Sequence, residues 1–192
     1  MPPRAKPLSP ADRRTALVDA TLPLLLEHGR GVTTKQIAEA AGVAEGTIFR
    51  VFESKDELVT AAIERGLDLE PFLREIAEID PDLDLRALLL EIVVRLRDRF
   101  QRMFSLMAAV GTIGPPRGHH EMTEGRARAE SILVALVEPH ADDLTLPPRQ
   151  VVHTVRLLTF AGTHPHISDG NVLAPSEIVS TVLDGVLRKK DS

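Results

Sequence analysis

The chain has 192 residues, of which 43% are hydrophobic and 27% charged, enough for one ordinary globular domain or a small module attached to a larger one. It has no cysteine, which excludes a disulfide scaffold, a zinc–thiolate site and thiol catalysis. The net charge of −5 and the mere six aromatic residues, all Phe, run against a chain that coats nucleic acid or stacks single-stranded bases.

No apolar run reaches the roughly 18 residues of a membrane span, and the opening MPPRAKPLSPADRR lacks the apolar core of a signal peptide. The expectation is a cytoplasmic protein without membrane contact. The charge is unevenly spread. Residues 1–56 hold eight Lys/Arg against seven Asp/Glu, a net +1, which leaves −6 for the rest. Arg4, Lys6, Arg13 and Arg14 make the first stretch a basic arm.

Helical spacing governs nearly the whole chain. Ser9-Pro10-Ala11-Asp12 offers an N-cap, a first-turn proline and a first-turn acid. Leu17, Val18, Thr21, Leu24 and Leu25 follow at helical spacing, and Gly29 stands where a left-handed residue ends the helix. Pro23 should kink this helix, because it removes one backbone bond. Thr33-Thr34-Lys35-Gln36 is a capping box that opens a short helix to Ala41, and Gly42 terminates it. A three-residue turn leads to a helix over Glu45–Phe52, and Ser54-Lys55-Asp56-Glu57 opens a longer one that continues past Pro71 with a bend.

From about Pro81 four or five more helices are predicted. Asp84 caps a long amphipathic stretch with Leu85, Leu88, Leu89, Ile92, Val93 and Leu96 on its apolar face. Gly114-Pro115-Pro116 breaks it, and Glu121 to Glu138 forms the next helix. Pro147-Pro148 opens a segment through Ala161, and Pro175-Ser176-Glu177 opens the last helix, which ends near Arg188. No strand alternation of useful length is present. The predicted fold class is all-α: an N-terminal three-helix unit over residues 9–56 and a C-terminal helical bundle over 57–192.

Three helices in about 45 residues, the last two short and joined by a Gly-containing turn, point to a helix-turn-helix. Ile37 and Ala38 face its core, Val43 anchors the turn, and Ile48 and Phe52 hold Glu45–Phe52 so that its other side is free to enter a major groove. The run TTKQIAEAAGVAEGTIFRVF (33–52), followed by SKDEL (54–58), resembles the DNA-binding domain of TetR-family transcriptional regulators. Residues 9–66 match that pattern in order and spacing. The ending RLLTFAGTHP (156–165) and its LDGVL helix are similar to the C-terminal pair that forms the dimer interface in the family.

The resemblance implies a sequence-specific DNA-binding regulator, a repressor released from operator DNA by a small-molecule effector. It also implies a homodimer joined through the two C-terminal helices. Thr33 should cap the second helix, with Thr34 and Lys35 near backbone phosphate. Gly46 and Thr47 lie at the exposed start of the recognition helix, and Arg50 reaches a phosphate or a guanine edge. Lys55 should grip phosphate, and the helix N-termini at Thr33 and Ser54 add backbone N–H donors. Glu45 is placed to accept from a cytosine amino group or to complement the helix dipole. Three positions depart from the family's usual residues: Ala44 lacks a capping hydroxyl, Phe49 stands for Tyr, and Val51 for His. These shift weight onto Arg50, Lys55 and the basic arm. They also keep open the other reading, a helical-bundle small-molecule-binding protein with weakened or lost DNA binding.

Elsewhere the signals are bland. His119-His120 with Glu121 and Glu124, and His164-Pro165-His166 with Asp169, match no metal-ligand spacing, so neither a metal nor a cofactor is expected. The pair Glu75 and Glu78 belongs to a solvated helix face, no nucleophile motif occurs, and no catalysis is expected. Phe100, Met103, Phe104 and Met107 form an apolar cluster that suits either a core or the lining of a pocket for an apolar effector.

Overall fold

A computed structural model describes residues 9–111 and 119–186, without the side chains of 119–122 and 186. Every regular element among the described residues is helical, in agreement with the all-α expectation. Gly114-Pro115-Pro116 and Arg188 lie outside the described residues, as do Arg4 and Lys6.

The chain divides into two compact units. The first runs to Asp68 and takes in the segment beginning at Ser105; the second comprises Leu69–Phe104 and the helices after residue 118. Helix α1 (Pro10–His28) starts where Ser9 Oγ accepts the Asp12 N–H at 3.1 Å, with Pro10 in the first turn. Leu17, Val18, Thr21 and Leu25 are its buried stripe, and the Thr21 hydroxyl donates to the Leu17 carbonyl at 2.7 Å. The helix runs through Pro23 as one element, although proline has no N–H for the carbonyl four residues back.

Helix α2 (Thr34–Ala41) opens on the predicted capping box: Thr33 Oγ1 accepts the Gln36 N–H at 3.2 Å, and Gln36 Oε1 accepts the Thr33 N–H at 2.8 Å. It closes on Gly42, which is left-handed at φ +66, ψ +32. Gly42 N–H donates to Glu39 O and Val43 N–H to Ala38 O, the paired bonds of a Schellman end. A 3-10 segment, Glu45–Arg50, follows, and then helix α3 (Lys55–Leu67), capped by Ser54 Oγ accepting the Glu57 N–H at 3.1 Å.

Two expectations need correction here. Glu45–Phe52 is not an α-helix but a 3-10 turn that stops at Arg50. Its N-cap, Ala44, has no side-chain oxygen to hold the first N–H groups, and Thr47, Ile48 and Val51 are weak helix formers. Helix α3 also does not pass Pro71: it ends at Leu67, and a separate helix α4 (Glu70–Ala77) begins with Pro71 in its first turn. That is the position where the missing N–H costs nothing.

The first unit packs α1 against α2 and α3 around Leu17, Leu25, Ile37, Ile48, Phe52, Leu58 and Ala62, all nearly inaccessible. Burying Ile48 and Phe52 contributes roughly 1.5–3 kcal/mol each, and this burial rather than helix propensity seats the recognition segment. The second unit contains α4, the first part of α5 (Leu85–Val110), α6 (His119–Val137), α7 (Pro148–Thr163) and α8 (Pro175–Val186). Asp84 Oδ1 accepts the Ala87 N–H at 3.0 Å and so caps α5 as predicted. Its core is one cluster that includes Ile76, Leu88, Leu89, Ile92, Leu133, Val151, Val155, Ile178 and Val182.

Candidate nucleic-acid interface

The site begins at the N-terminus of α2. With Thr33 engaged in the capping box, the first-turn N–H groups of Thr34 and Lys35 remain without intrahelical partners, as at any helix start. The Lys35 side chain is exposed and has no partner among the described residues. Thr34 behaves differently from the sequence expectation. Its hydroxyl donates a short hydrogen bond to Glu45 Oε1, eleven residues on. Phosphate oxygens only accept, so a hydroxyl proton committed to Glu45 is not free for phosphate.

The recognition segment presents Glu45, Gly46, Phe49 and Arg50 to solvent, while Thr47 is half-buried and Ile48 is fully buried. Phe49 is 55% exposed, the uncommon case of a large aromatic left on a turn between two buried anchors. Arg50 carries no ion pair or hydrogen bond among the described residues. Nothing lies within 4 Å of where a Cβ on Gly46 would stand, so the protein's own packing does not require glycine there. Ala44 forms the extended entry to the segment at φ −70, ψ +142.

Lys55, expected at phosphate, and Arg14, of the basic arm, each have partners within the protein. Lys55 Nζ donates to the Arg30 carbonyl at 3.2 Å and the Val32 carbonyl at 3.0 Å, which ties the start of α3 to the connector before α2. One ammonium donor remains. Arg14 stacks its guanidinium 4.3 Å over the Phe52 ring and pairs with Glu57 Oε1 at 3.4 Å. It also lines a shallow cleft of about 300 Å³ between α1 and α3 with Asp19 and Arg65, a feature absent from the sequence reading. Arg14 is therefore part of the packed unit rather than of a free arm.

The connector itself is tightly built. Arg30 Nε donates to the Val110 carbonyl at 3.1 Å, and Gly29, at φ +57 and ψ −148, lies so close to Ala109 that a Cβ would stand 2.4 Å from its carbonyl oxygen. Gly29 thus has the positive φ expected of it, but in a more extended basin than the left-handed helix.

The sequence profile of "Bacterial regulatory proteins, tetR family" matches residues 17–62, the stretch from mid-α1 to mid-α3 that builds this surface. That match places the N-terminal part of the chain, about a quarter of its length, among sequences similar to the DNA-binding region of that family. The HTH-type transcriptional repressor KstR2 of Rhodococcus jostii is 33% identical over 109 residues, 56% of this chain and 52% of that protein. A tetR-family transcriptional regulator from Streptomyces coelicolor has the same fold, with a TM-score of 0.61 and 20% identity over 93% of this chain and 80% of that one. The SmeT–triclosan complex aligns with a TM-score of 0.56 and 18% identity over 92% of each chain. The matches to curated relatives span only 29–52% of those proteins' lengths.

The candidates for an effector site are only partly brought together. Phe100 and Phe104 stack along α5 with centroids 6.2 Å apart, and Phe160 of α7 meets both edge-on at 5.2 and 5.1 Å. His164 continues the array, its ring 4.5 Å from Phe104. Met103 is half-buried on the same helix, whereas Met107 belongs to the first unit. Phe160 and His164 were not joined to this cluster in sequence, because spacing along one helix carries no register between α5 and α7. His164 Nδ1 lies 3.3 Å from the backbone N–H groups of His166 and Ile167, which donate to it, so that nitrogen caps the turn after α7. No group of three His, Asp or Glu among the described residues could hold a metal ion, and the side chains of His119, His120 and Glu121 lie outside the described residues. Among the described residues no helix is long and apolar enough to cross a membrane.

Proposed function

We propose that this chain is a sequence-specific DNA-binding transcriptional regulator, a repressor that a small-molecule effector releases from its operator. The single observation that carries the proposal is the Glu45–Arg50 segment, anchored by buried Ile48 and Phe52, bonded through Glu45 to Thr34 at the start of α2, and presenting an exposed Arg50 that has no ion pair or hydrogen bond among the described residues. In this reading residues 9–56 are the DNA-binding domain, and Thr33, Thr34, Lys35, Ala44, Gly46, Thr47, Phe49, Arg50 and Lys55 lie at or next to the DNA. Residues 57–192 bind the effector and hold two copies together through α7 and α8, where Leu157 is 47% exposed.

Two recognition segments then meet half-sites roughly 34–36 Å apart, or a multiple of that. KstR2 and SmeT support repression, since KstR2 is described as a repressor and SmeT as the repressor of the Stenotrophomonas maltophilia multidrug efflux pump SmeDEF. The SmeT–triclosan complex, together with the Phe100–Phe104–Phe160 array, supports an apolar effector in the second unit. The protein works in the cytoplasm, where its DNA is. Effector and operator must weaken each other by the same factor, because the coupling is reciprocal.

A gel-shift assay with operator DNA selected from random duplexes tests the proposal. Arg50→Ala is expected to lose roughly 1–3 kcal/mol of affinity with an unchanged melting temperature. Full affinity in Arg50→Ala would remove the binding mode. The internal engagement of Lys55 and Arg14 favours the second reading, a bundle protein that binds small molecules and grips DNA weakly or not at all. That reading predicts no selected sequence.

A further inference from the structure

Glu45 is an exposed carboxylate at the first position of the segment that would face DNA, and among the described residues it has no cation paired with it. Near phosphates such a charge is repulsive unless a specific donor meets it. The side chain is not loose, because the Thr34 hydroxyl holds Oε1, and the exposed carboxylate keeps further lone pairs for another donor. An ionised carboxylate only accepts hydrogen bonds. In the major groove guanine presents two acceptors, thymine an acceptor and a methyl, and adenine an acceptor beside its donor. Cytosine alone presents a donor, its N4 amino group, with no acceptor next to it.

We propose that Glu45 determines sequence specificity by accepting a hydrogen bond from the N4 amino group of one cytosine in each half-site. Thr34 is its positioning residue. This rests on the DNA-binding reading above and adds to it the base that is recognised and the pair that recognises it. The duller role for the same contact is structural: Glu45 staples the start of α2 to the recognition segment and complements the helix dipole. The two differ in what they change. A staple alters affinity for all sequences alike, whereas a base reader alters preference at one position.

The experiment is a selection of bound duplexes from a random library by the full chain, run for the unmodified protein, Glu45→Ala, Glu45→Gln, Thr34→Val and Thr34→Ser. The unmodified protein is expected to prefer cytosine over thymine by about ten-fold at one symmetric position. Glu45→Ala brings that preference close to one-fold and leaves the other positions intact. Glu45→Gln moves it toward adenine, the base whose N6 and N7 match an amide. Thr34→Val blurs the cytosine preference, and Thr34→Ser, which retains the hydroxyl, restores it. Helix content by circular dichroism checks that each variant folds; if Glu45→Ala does not, Glu45→Gln, which can still accept from Thr34, decides the matter. The same selected motif in the Glu45 variants, or uniform weakening across all sequences, overturns this inference and leaves the DNA-binding reading standing. No selected sequence for the unmodified protein overturns both.

Discussion

Gly29 closes α1 in a conformation that only glycine adopts readily, and the cost of an added methyl group there can be worked from the structure. At φ +57, ψ −148 an L-residue is strained by about 1–3 kcal/mol. The new Cβ would also stand 2.4 Å from the Ala109 carbonyl oxygen, a backbone atom that moves only if the last turn of α5 moves. Together these make Gly29→Ala cost roughly 3–5 kcal/mol, out of a total stability of about 5–15 kcal/mol. Gly42→Ala meets the φ penalty alone, since nothing lies within 4 Å of its Cβ position, and should cost about 1–2 kcal/mol. Gly31→Ala meets neither and should be neutral or slightly stabilising. For a chain of this size the melting temperature, followed by far-ultraviolet circular dichroism, should fall by roughly 6–20 °C at Gly29 and 2–8 °C at Gly42. If Gly29→Ala melts together with Gly31→Ala, the close approach to Ala109 is not a constraint and the reasoning fails.

Thr33→Ala removes one half of the capping box and should cost about 0.5–2 kcal/mol, read from denaturant midpoints; a midpoint unchanged within error would mean that α2 does not depend on its cap. Lys55→Ala should lower stability as well as DNA affinity, by roughly 1–3 kcal/mol in unfolding free energy, because it deletes charge-assisted bonds to two carbonyls. A Lys55→Ala variant of full stability would return Lys55 to a purely phosphate-facing role. Gly46→Ala should hold or slightly raise the melting temperature while weakening operator binding in a gel shift, since the space over Gly46 is empty in the protein itself. Retained affinity would place the DNA backbone farther from the segment. The slope of log K against log salt should be modest, about −5 to −6 for a dimer engaging Lys35, Arg50 and the last donor of Lys55 in each copy, and a slope near −10 would require phosphate contacts beyond these three residues.

Much of this architecture is legible in the sequence because the signals are local. Ser9, Thr33, Ser54 and Asp84 all cap the helices that their spacing predicts, and Gly42 ends α2 as its position implies. The recognition segment is less legible, since Ala44 offers no cap, Gly46 has little helical preference, and its geometry follows from Ile48 and Phe52 entering the core of the first unit. The break at Asp68 was hidden for a related reason. Pro71 is compatible both with a bend in one helix and with the first turn of another. At the interface, residue types marked Thr34 and Lys55 for phosphate and Arg14 as part of the basic arm. Their partners within the protein, Glu45, the Arg30 and Val32 carbonyls, and Phe52 with Glu57, lie 11 to 43 residues away in sequence, beyond any periodic signal.

On the proposed DNA-binding reading, those internal bonds reconcile a net charge of −5 with recognition of a sequence. A surface that binds through bulk charge needs an excess of free cations, and residues 1–56 have a net of only +1. Here Arg14 and Lys55 instead hold the recognition segment and the α2 entry in place, so their charge contributes order more than attraction. Binding to arbitrary DNA, which depends on phosphate neutralisation, is weakened by that exchange. Binding to the correct sequence keeps the benefit of side chains already fixed before contact, because less conformational entropy is lost on docking. On that reading, a near-neutral N-terminal unit with a clasped carboxylate at Glu45 favours discrimination between sequences over affinity for DNA in general.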